Sequence, residues 1–294
     1  MHFRHLLHSF LVLTIWMLAD NVALSQDIHY SQFYNSPQNL NPALTGSFNG
    51  DHRFTLSHRD QWRFVPVPWT TFSGAYDRNI MPYHSDKHFY GVGLNVNYDR
   101  QGDSRLTLLN IGLNGAFHKL LNSKNIISLG ANLGYATKGF DTKSLTWNEQ
   151  WNGEKFDPTK SSGEAFQNTE RVNYVETGLG LNYRYQKSAR TNLDLGIGAL
   201  HLIEPEVSFN GDKPTKLPRR YTFSGVGNFR LTESLDLQLH ALHQIQTKYN
   251  ETVFGGLGKI YLDQNRGREL QLHLGLGYRT SGSLIPTAAL QYNA

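Results

Sequence analysis

The chain has 294 residues, a length that suits one large domain or two ordinary ones. Its formal net charge is +4, and 39% of its residues are hydrophobic. Aromatic residues reach 12% and cysteine is absent, so a disordered chain, a disulfide framework, a cysteine-ligated metal and thiol catalysis are excluded. The chain lacks the run of about 18 apolar residues that a membrane-spanning helix needs, and its lysines and arginines are scattered singly, so we expect neither a helical transporter nor a nucleic-acid partner.

Residues 1–25 have the pattern of a signal peptide. Arg4 precedes an apolar run that begins at Phe10 and ends at Ala19, and small residues stand at Ala23 and Ser25. Ten apolar residues would cover only about 15 Å of a bilayer core that is about 30 Å thick, so an anchoring helix is the weaker interpretation. We therefore predict cleavage near Ser25/Gln26 and export to the periplasm or the outer membrane.

Residues 26–50 show no strand pattern. The Asn41–Pro42 pair predicts a turn, and Gly46 is expected to have a positive φ. A disordered leader is one interpretation. The aromatic side chains of Tyr30, Phe33 and Tyr34 favour another, in which the segment docks on the periplasmic mouth of the domain that follows.

From about residue 52 onward, stretches of 10–13 residues alternate between apolar and polar side chains. In residues 89–98, for example, Tyr90, Val92 and Leu94 face one way, and Asn95 and Asn97 face the other. A period of two is typical of β-strands. About twelve such stretches are present, and none reads as a long amphipathic helix.

Two closed architectures compete for this pattern, a soluble β-sandwich and a transmembrane β-barrel. Sandwich strands are commonly about 5–6 residues long, whereas tilted membrane strands have about 9–11. The polar faces are rich in glycine and asparagine, which suits a crowded lumen. Aromatic residues recur near strand ends, where membrane barrels carry girdles: Tyr90, Tyr98, Phe117, Tyr135, Tyr185, Tyr221, Tyr261 and Tyr278. We predict an all-β, antiparallel transmembrane β-barrel of about 12 strands over residues 51–294.

The lengths of the connections support this count. If the first strand runs outward, the two long connections, 137–171 and 202–218, both fall on the outward side, an asymmetry that bacterial barrels show. We expect the loop 137–171 to be extracellular and partly folded over the barrel. Its aromatic residues are Trp147, Trp151, Phe156 and Phe166.

The N-terminal third carries ordered motifs. They are Gln26-Asp27, Ser31-Gln32-Phe33-Tyr34-Asn35, Asn41-Pro42-Ala43 with Gly46, Arg59-Asp60-Gln61-Trp62, and Pro68 with Thr70. In these motifs the chain closely resembles the PorP/SprF family of type IX secretion system outer-membrane proteins. Asp60 stands where the family usually has asparagine, and 65–68 replaces a more usual glycine-containing turn.

The chain ends at Asn293-Ala294, where the family generally continues through another hairpin to fourteen strands. We therefore expect a truncated sequence whose first and twelfth strands are not paired with each other. Continuous pairing of 52–60 with 284–292 would instead make a complete twelve-stranded barrel.

The resemblance implies a non-enzymatic barrel that works without a cofactor in the type IX secretion and gliding machinery. It implies periplasmic and outer-membrane secretion components as partners, with secreted adhesin cargo, membrane lipid and lipopolysaccharide. The candidate partner-binding residues are Tyr30, Phe33, Tyr34, Asn41, Pro42 and Trp62.

Other chemistry has little support in the sequence. His240 and His243 are three residues apart on a predicted strand, so they face opposite sides and cannot chelate a metal together. Trp147 and Trp151 offer a carbohydrate platform, a plug or a protein contact, with a plug or a protein contact favoured. A general porin or hydrophobic-substrate channel is the main alternative function. We predict few lumen charges for a porin: Asp194, Arg230, Asp236, the residues opposite Lys259, and Arg279.

Overall fold

The computed structural model describes residues 29–64, 69–83, 87–141, 145–163, 171–209, 215–265 and 268–293, with the predicted signal peptide outside them. These residues form an all-β fold. Its strands are β1 (His52–Gln61), β2 (Trp69–Ile80), β3 (His88–Gln101), β4 (Leu106–Asn122), β5 (Asn125–Gly139), β6 (Arg171–Ser188), β7 (Thr191–Leu200), β8 (Arg220–Arg230), β9 (Leu235–Gln246), β10 (Tyr249–Asp263), β11 (Glu269–Arg279) and β12 (Ser283–Asn293).

The twelve strands form one sheet in which each strand pairs with the next along the chain. Every pairing is antiparallel, from His52 opposite Arg78 at one edge to Arg279 opposite Ser283 at the other. Among the described residues no pairing joins β1 to β12, as expected, and we call this unpaired boundary the seam.

The two faces of the sheet have the polarity that the alternation predicted. On β3, Tyr90 and Leu94 are exposed, whereas Asn95 and Asn97 are buried. Apolar side chains therefore cover the convex face, as a membrane barrel requires. Tyr261 departs from the prediction of an outward girdle residue. It lies on the concave face, and its hydroxyl donates to Asp236 at 2.9 Å.

The connections divide unequally between the two mouths. We call the mouth where β1 begins the lower mouth and the opposite one the upper mouth. Turns at the lower mouth are short, as between β4 and β5 or β6 and β7. The upper mouth carries the two long connections, 140–170 with 31 residues and 201–219 with 19. The predicted asymmetry of the loops is present.

Residues 29–50, the N-terminal segment, lie inside the curve of the sheet. The segment makes three 3₁₀ turns at Phe33–Asn35, Pro37–Asn39 and Pro42–Leu44. It contacts β1 and β11, so the sheet must curl around it to bring its two edges to the same segment. We expected this segment against one mouth only, and it instead runs along the lumen from the upper end to the lower.

Within the described residues, the structure contains no helix that is long and apolar enough to cross a membrane.

Candidate functional site

The middle of the N-terminal segment is held by an asparagine. The Asn41 side chain accepts from the Ala43 backbone N–H at 2.9 Å, which caps the third 3₁₀ turn, and its amide donates to the Leu181 carbonyl on β6 at 2.8 Å. The Leu40 carbonyl accepts from the Thr222 hydroxyl on β8 at 2.8 Å. The predicted turn at Asn41–Pro42 is therefore present, and it is bonded to strands that lie far away in the sequence.

Glycines on the concave face make room for this turn. A Cβ at Gly180 would lie 1.8 Å from the Asn41 Oδ1, and a Cβ at Gly130 would lie 2.3 Å from the Ala43 nitrogen. At Gly91 the corresponding distance to the Thr45 carbonyl oxygen is 2.0 Å. Since no side chain fits at such distances, the glycine-rich polar face is the docking surface of the segment.

The lower end of the segment is held by a buried carboxylate. Asp77 on β2 accepts from the Gly46 backbone N–H at 2.7 Å and from Arg53 on β1 at 2.6 Å. Arg53 also donates to the Leu44 carbonyl at 3.1 Å and stacks over the Phe48 ring at 4.6 Å. Gly46 has φ of 75°, as predicted, so this turn favours glycine.

The upper end of the segment bridges the seam. The His29 Nε2 lies 3.4 Å from Arg59 on β1 and 3.0 Å from Arg279 on β11, and Arg279 donates to the Ser31 hydroxyl at 2.9 Å. The Tyr30 hydroxyl is 2.6 Å from the Ser73 hydroxyl on β2, and burial raises the pKa of Tyr30. These bonds link strands on the two sides of the seam, β1 and β2 on one side and β11 on the other, through the segment.

The first 3₁₀ turn carries the apolar anchors. Phe33 is 2% exposed and packs with Leu242 on β9 and Val253 on β10. Tyr34 lies against the His240 ring, with ring centroids 4.8 Å apart.

The predicted partner-binding residues thus fall into two groups. Phe33, Asn41 and Pro42 are buried between the segment and the sheet, and Tyr30 and Tyr34 are only partly exposed. Trp62 lies apart from them at the upper mouth, 56% exposed and packed on Trp69. While the segment occupies the lumen, no partner reaches the buried group.

The lumen has more charges than the sequence suggested, so the prediction of few lumen charges was wrong. Arginines in turns and near strand ends reach inward and pair with carboxylates. The ion pairs are Arg53–Asp77 at 2.6 Å, Arg184–Asp194 at 2.8 Å, Arg190–Asp236 at 2.6 Å and Arg279–Glu251 at 2.9 Å.

The connection 201–219 closes part of the upper mouth. Val207 packs into a cluster with Ala136 on β5 and Tyr174 on β6. At the start of this connection, His201 lies 2.7 Å from the Glu176 carboxylate, and both side chains are buried. The lumen is therefore covered from above as well as filled in the middle.

Two of the aromatic residues predicted in the connection 140–170 pack on each other. Trp151 and Phe156 pack edge to face at 5.3 Å, and each is about half exposed, at 49% and 48%. These two rings partly shield each other from solvent. Phe166 lies outside the described residues.

Metal binding has no support in the described part of the chain, where no group of three or more potential ligands occurs. His240 faces the lumen, and His243 faces outward and bonds to the Thr252 hydroxyl at 2.8 Å. The predicted opposite orientation of these two histidines is confirmed.

Comparison with known proteins assigns the family. The sequence model described as "Type IX secretion system membrane protein PorP/SprF" matches residues 22–294. The chain belongs to the PorP/SprF family. As a member of it, this barrel is an outer-membrane protein with a role related to secretion. The motifs in which the family was recognised include the asparagine and glycine that seat the N-terminal segment.

Solved structures show the fold and nothing more. The CymD monoaromatic hydrocarbon channel is 7% identical, with a TM-score of 0.51, over 84% of this chain and 80% of its own. The translocator domain of the autotransporter NalP from Neisseria meningitidis is 9% identical, with a TM-score of 0.48, over 90% of this chain and 96% of its own. No curated protein matches the sequence.

Proposed function

We propose that the protein is a non-enzymatic outer-membrane component of the type IX secretion and gliding machinery, with a lumen occupied by its own N-terminal segment. In this role it supports the export or surface attachment of adhesin-type cargo through contacts with periplasmic components, and it needs no cofactor. Family membership supports the secretion role. The observation that favours a docking component over a channel is the filled lumen.

The N-terminal segment leaves little free passage. Its hydrogen bonds reach strands around the lumen, from Arg53 and Asp77 on one side of the seam to Arg279 on the other. A general porin or hydrophobic-substrate channel would need this segment to leave. We therefore expect the purified protein to form no large stable channels in planar bilayers, and persistent channels from the intact chain would favour the porin.

The orientation that we propose predicts which partners meet each mouth of the barrel. Because bacterial barrels carry long loops outside the cell, the upper mouth would be extracellular and the lower mouth periplasmic. Periplasmic secretion components would then meet the short turns and residues 46–50, whereas cargo would meet the long connections and Trp62.

The absence of cysteine makes this orientation testable. Lys155→Cys in the connection 140–170 should react with a membrane-impermeant maleimide on intact cells. Ser123→Cys in the turn between β4 and β5 is the matched control and should react only after the outer membrane is opened. Labelling with the opposite pattern would invert the proposed orientation.

Partner capture tests the secretion role itself. Affinity purification from the native envelope, followed by mass spectrometry, should recover secretion components. Trp62→Ser should reduce recovery of cargo or outer-membrane partners. Leu231→Ser in a short turn at the lower mouth is the matched control for cargo recovery, since both side chains are about half exposed. Recovery of no secretion component with the intact chain would contradict the proposal.

A further inference from the structure

The N-terminal segment does not fill the whole lumen. A cavity of about 460 Å³ remains between it and the lower mouth, within the range of about 300–1,000 Å³ that is usual for ligand sites. Lining residues come from the segment itself, including Tyr34 and Phe48, and from the lower halves of β1, β6–β10 and β12. The cavity thus lies nearer the mouth that carries the short turns.

Most charges around the cavity are already neutralised. Arg53 is bound by Asp77, and Arg184 makes two bonds to Asp194, at 2.8 and 2.9 Å. Lys259 is the exception. Among the described residues its ammonium group has one hydrogen bond, to the neutral Asn228 side chain at 2.7 Å.

The carboxylate opposite Lys259 is engaged elsewhere. Asp236 is the register partner of Lys259 on β9. Its oxygens accept from Arg190 at 2.6 Å and from the Tyr261 hydroxyl at 2.9 Å. Lys259 therefore brings one positive charge to the cavity, with two of its three N–H donors unused.

A second donor beside Lys259 is also unused. The Gln238 side chain is 6% exposed and lines the cavity, and its Nε2 has no hydrogen-bond partner in the described part of the chain. In register Gln238 lies opposite Leu257, two residues from Lys259 on the same face. A buried donor without an acceptor is unfavourable, so the pair is arranged to receive one.

From these contacts we infer that the cavity binds a carboxylate group of an acidic peptide segment that enters through the lower mouth. One unbalanced positive charge matches a single negative charge, which favours a carboxylate over phosphate. The remaining lining supplies side-chain amides at Asn182 and Asn192, which suit the backbone of an extended peptide. This inference deepens the proposed function by naming the chemistry of a partner.

The test is calorimetric titration, in which blocked tetrapeptides are added to the purified full chain in detergent. We expect acetyl-Gly-Ser-Glu-Gly-amide to bind about tenfold or more tightly than its glutamine counterpart, because a charged hydrogen bond is replaced by a neutral one. Sodium acetate should compete weakly, and inorganic phosphate should compete no better. Acetate binding as tight as that of the glutamate peptide would identify a free carboxylate as the occupant and overturn the peptide assignment.

Variants locate the binding. Lys259→Met should lose the preference for glutamate, whereas Lys259→Arg should retain it and show that loss of the charge, and not misfolding, is responsible. Gln238→Leu should weaken binding of the glutamate peptide, and Lys155→Met in an exposed loop is the matched control. Equal binding of the two peptides, or unchanged binding by Lys259→Met, would overturn the inference. Because this assay needs no secretion, its failure is distinguishable from failure to recover secretion partners.

Discussion

The middle and the upper end of the N-terminal segment are held in different ways. Around Asn41 the segment lies on regularly paired strands, and contact is made by shape, with glycines at Gly130 and Gly180 and backbone carbonyls as partners. At the upper end the segment lies across the seam, where the strands are not paired. There the long side chains of Arg59 and Arg279 reach His29 from both sides.

The difference follows from distance. Where neighbouring strands are paired, the sheet approaches the segment so closely that only glycine fits. At the seam β1 and β12 are not paired, so long, charged side chains span the distance between the strands and the segment. We infer that the middle and lower parts of the segment are the more tightly bound, and that the upper end is the first to detach.

The largest expected effect comes from Asp77→Ala at the lower end. This change leaves the partly buried Arg53 guanidinium without its carboxylate and frees the Gly46 N–H. Losing one partner of such a pair costs up to about 3–5 kcal/mol. Hydrogen exchange measured by mass spectrometry should increase over residues 40–50. Asp157→Asn in an exposed loop is the control, and unchanged exchange in Asp77→Ala would show that the lower end is not anchored by this pair.

A smaller effect is expected from Gly180→Val, which tests contact by shape. The new side chain would overlap the Asn41 amide, and overpacking typically costs about 1–3 kcal/mol. Exchange should increase around residues 38–45 while the strands stay protected. Gly115→Val is the matched control, since nothing lies within 4 Å of that position. Equal effects of the two substitutions would contradict a docking role for the lumen glycines.

The smallest effect is expected from the double variant His29→Ala, Ser31→Ala. It removes partners of Arg279 near the seam, where the bonds are partly exposed to solvent, so the cost should be about 1 kcal/mol or less. Faster exchange should be confined to residues 29–34. If residues 38–46 exchange equally fast, the upper end detaches together with the middle and lower parts, and the distinction between them fails.

The strands and the polarity of their two faces were predictable from the sequence, because the alternation that indicates them is a local pattern. Alternation such as that of Tyr90 to Asn97 depends only on the two-residue period of a strand, and the structure has the predicted faces. The lengths of the connections followed from the same assignment of strands. Tyr261 was misassigned because an aromatic near a strand end suggested a girdle, whereas its position on the strand places it inward.

The contents of the lumen were not predictable in the same way. The Asn41 amide bonds to a carbonyl 140 residues away, and only the completed sheet brings the two together. The glycines and asparagines of the polar faces were read as a crowded lumen, which was correct. What occupies that lumen was missed, since the anchors at Phe33 and Tyr34 resemble a surface patch when read alone. The lumen charges were underestimated because Arg190 lies in a turn and Arg184 and Lys259 were not placed on their inward faces.

The bond between His29 and Arg279 spans 250 positions of the chain, and this span has a consequence for folding. Contacts between distant positions form slowly, because a long loop must close before they stabilise anything. The segment that contains His29 is synthesised before any strand, yet its binding surface exists only once β11 is in place. We therefore expect the N-terminal segment to be the last part of the molecule to acquire its native contacts, so protection of residues 29–34 would report that the whole sheet has folded.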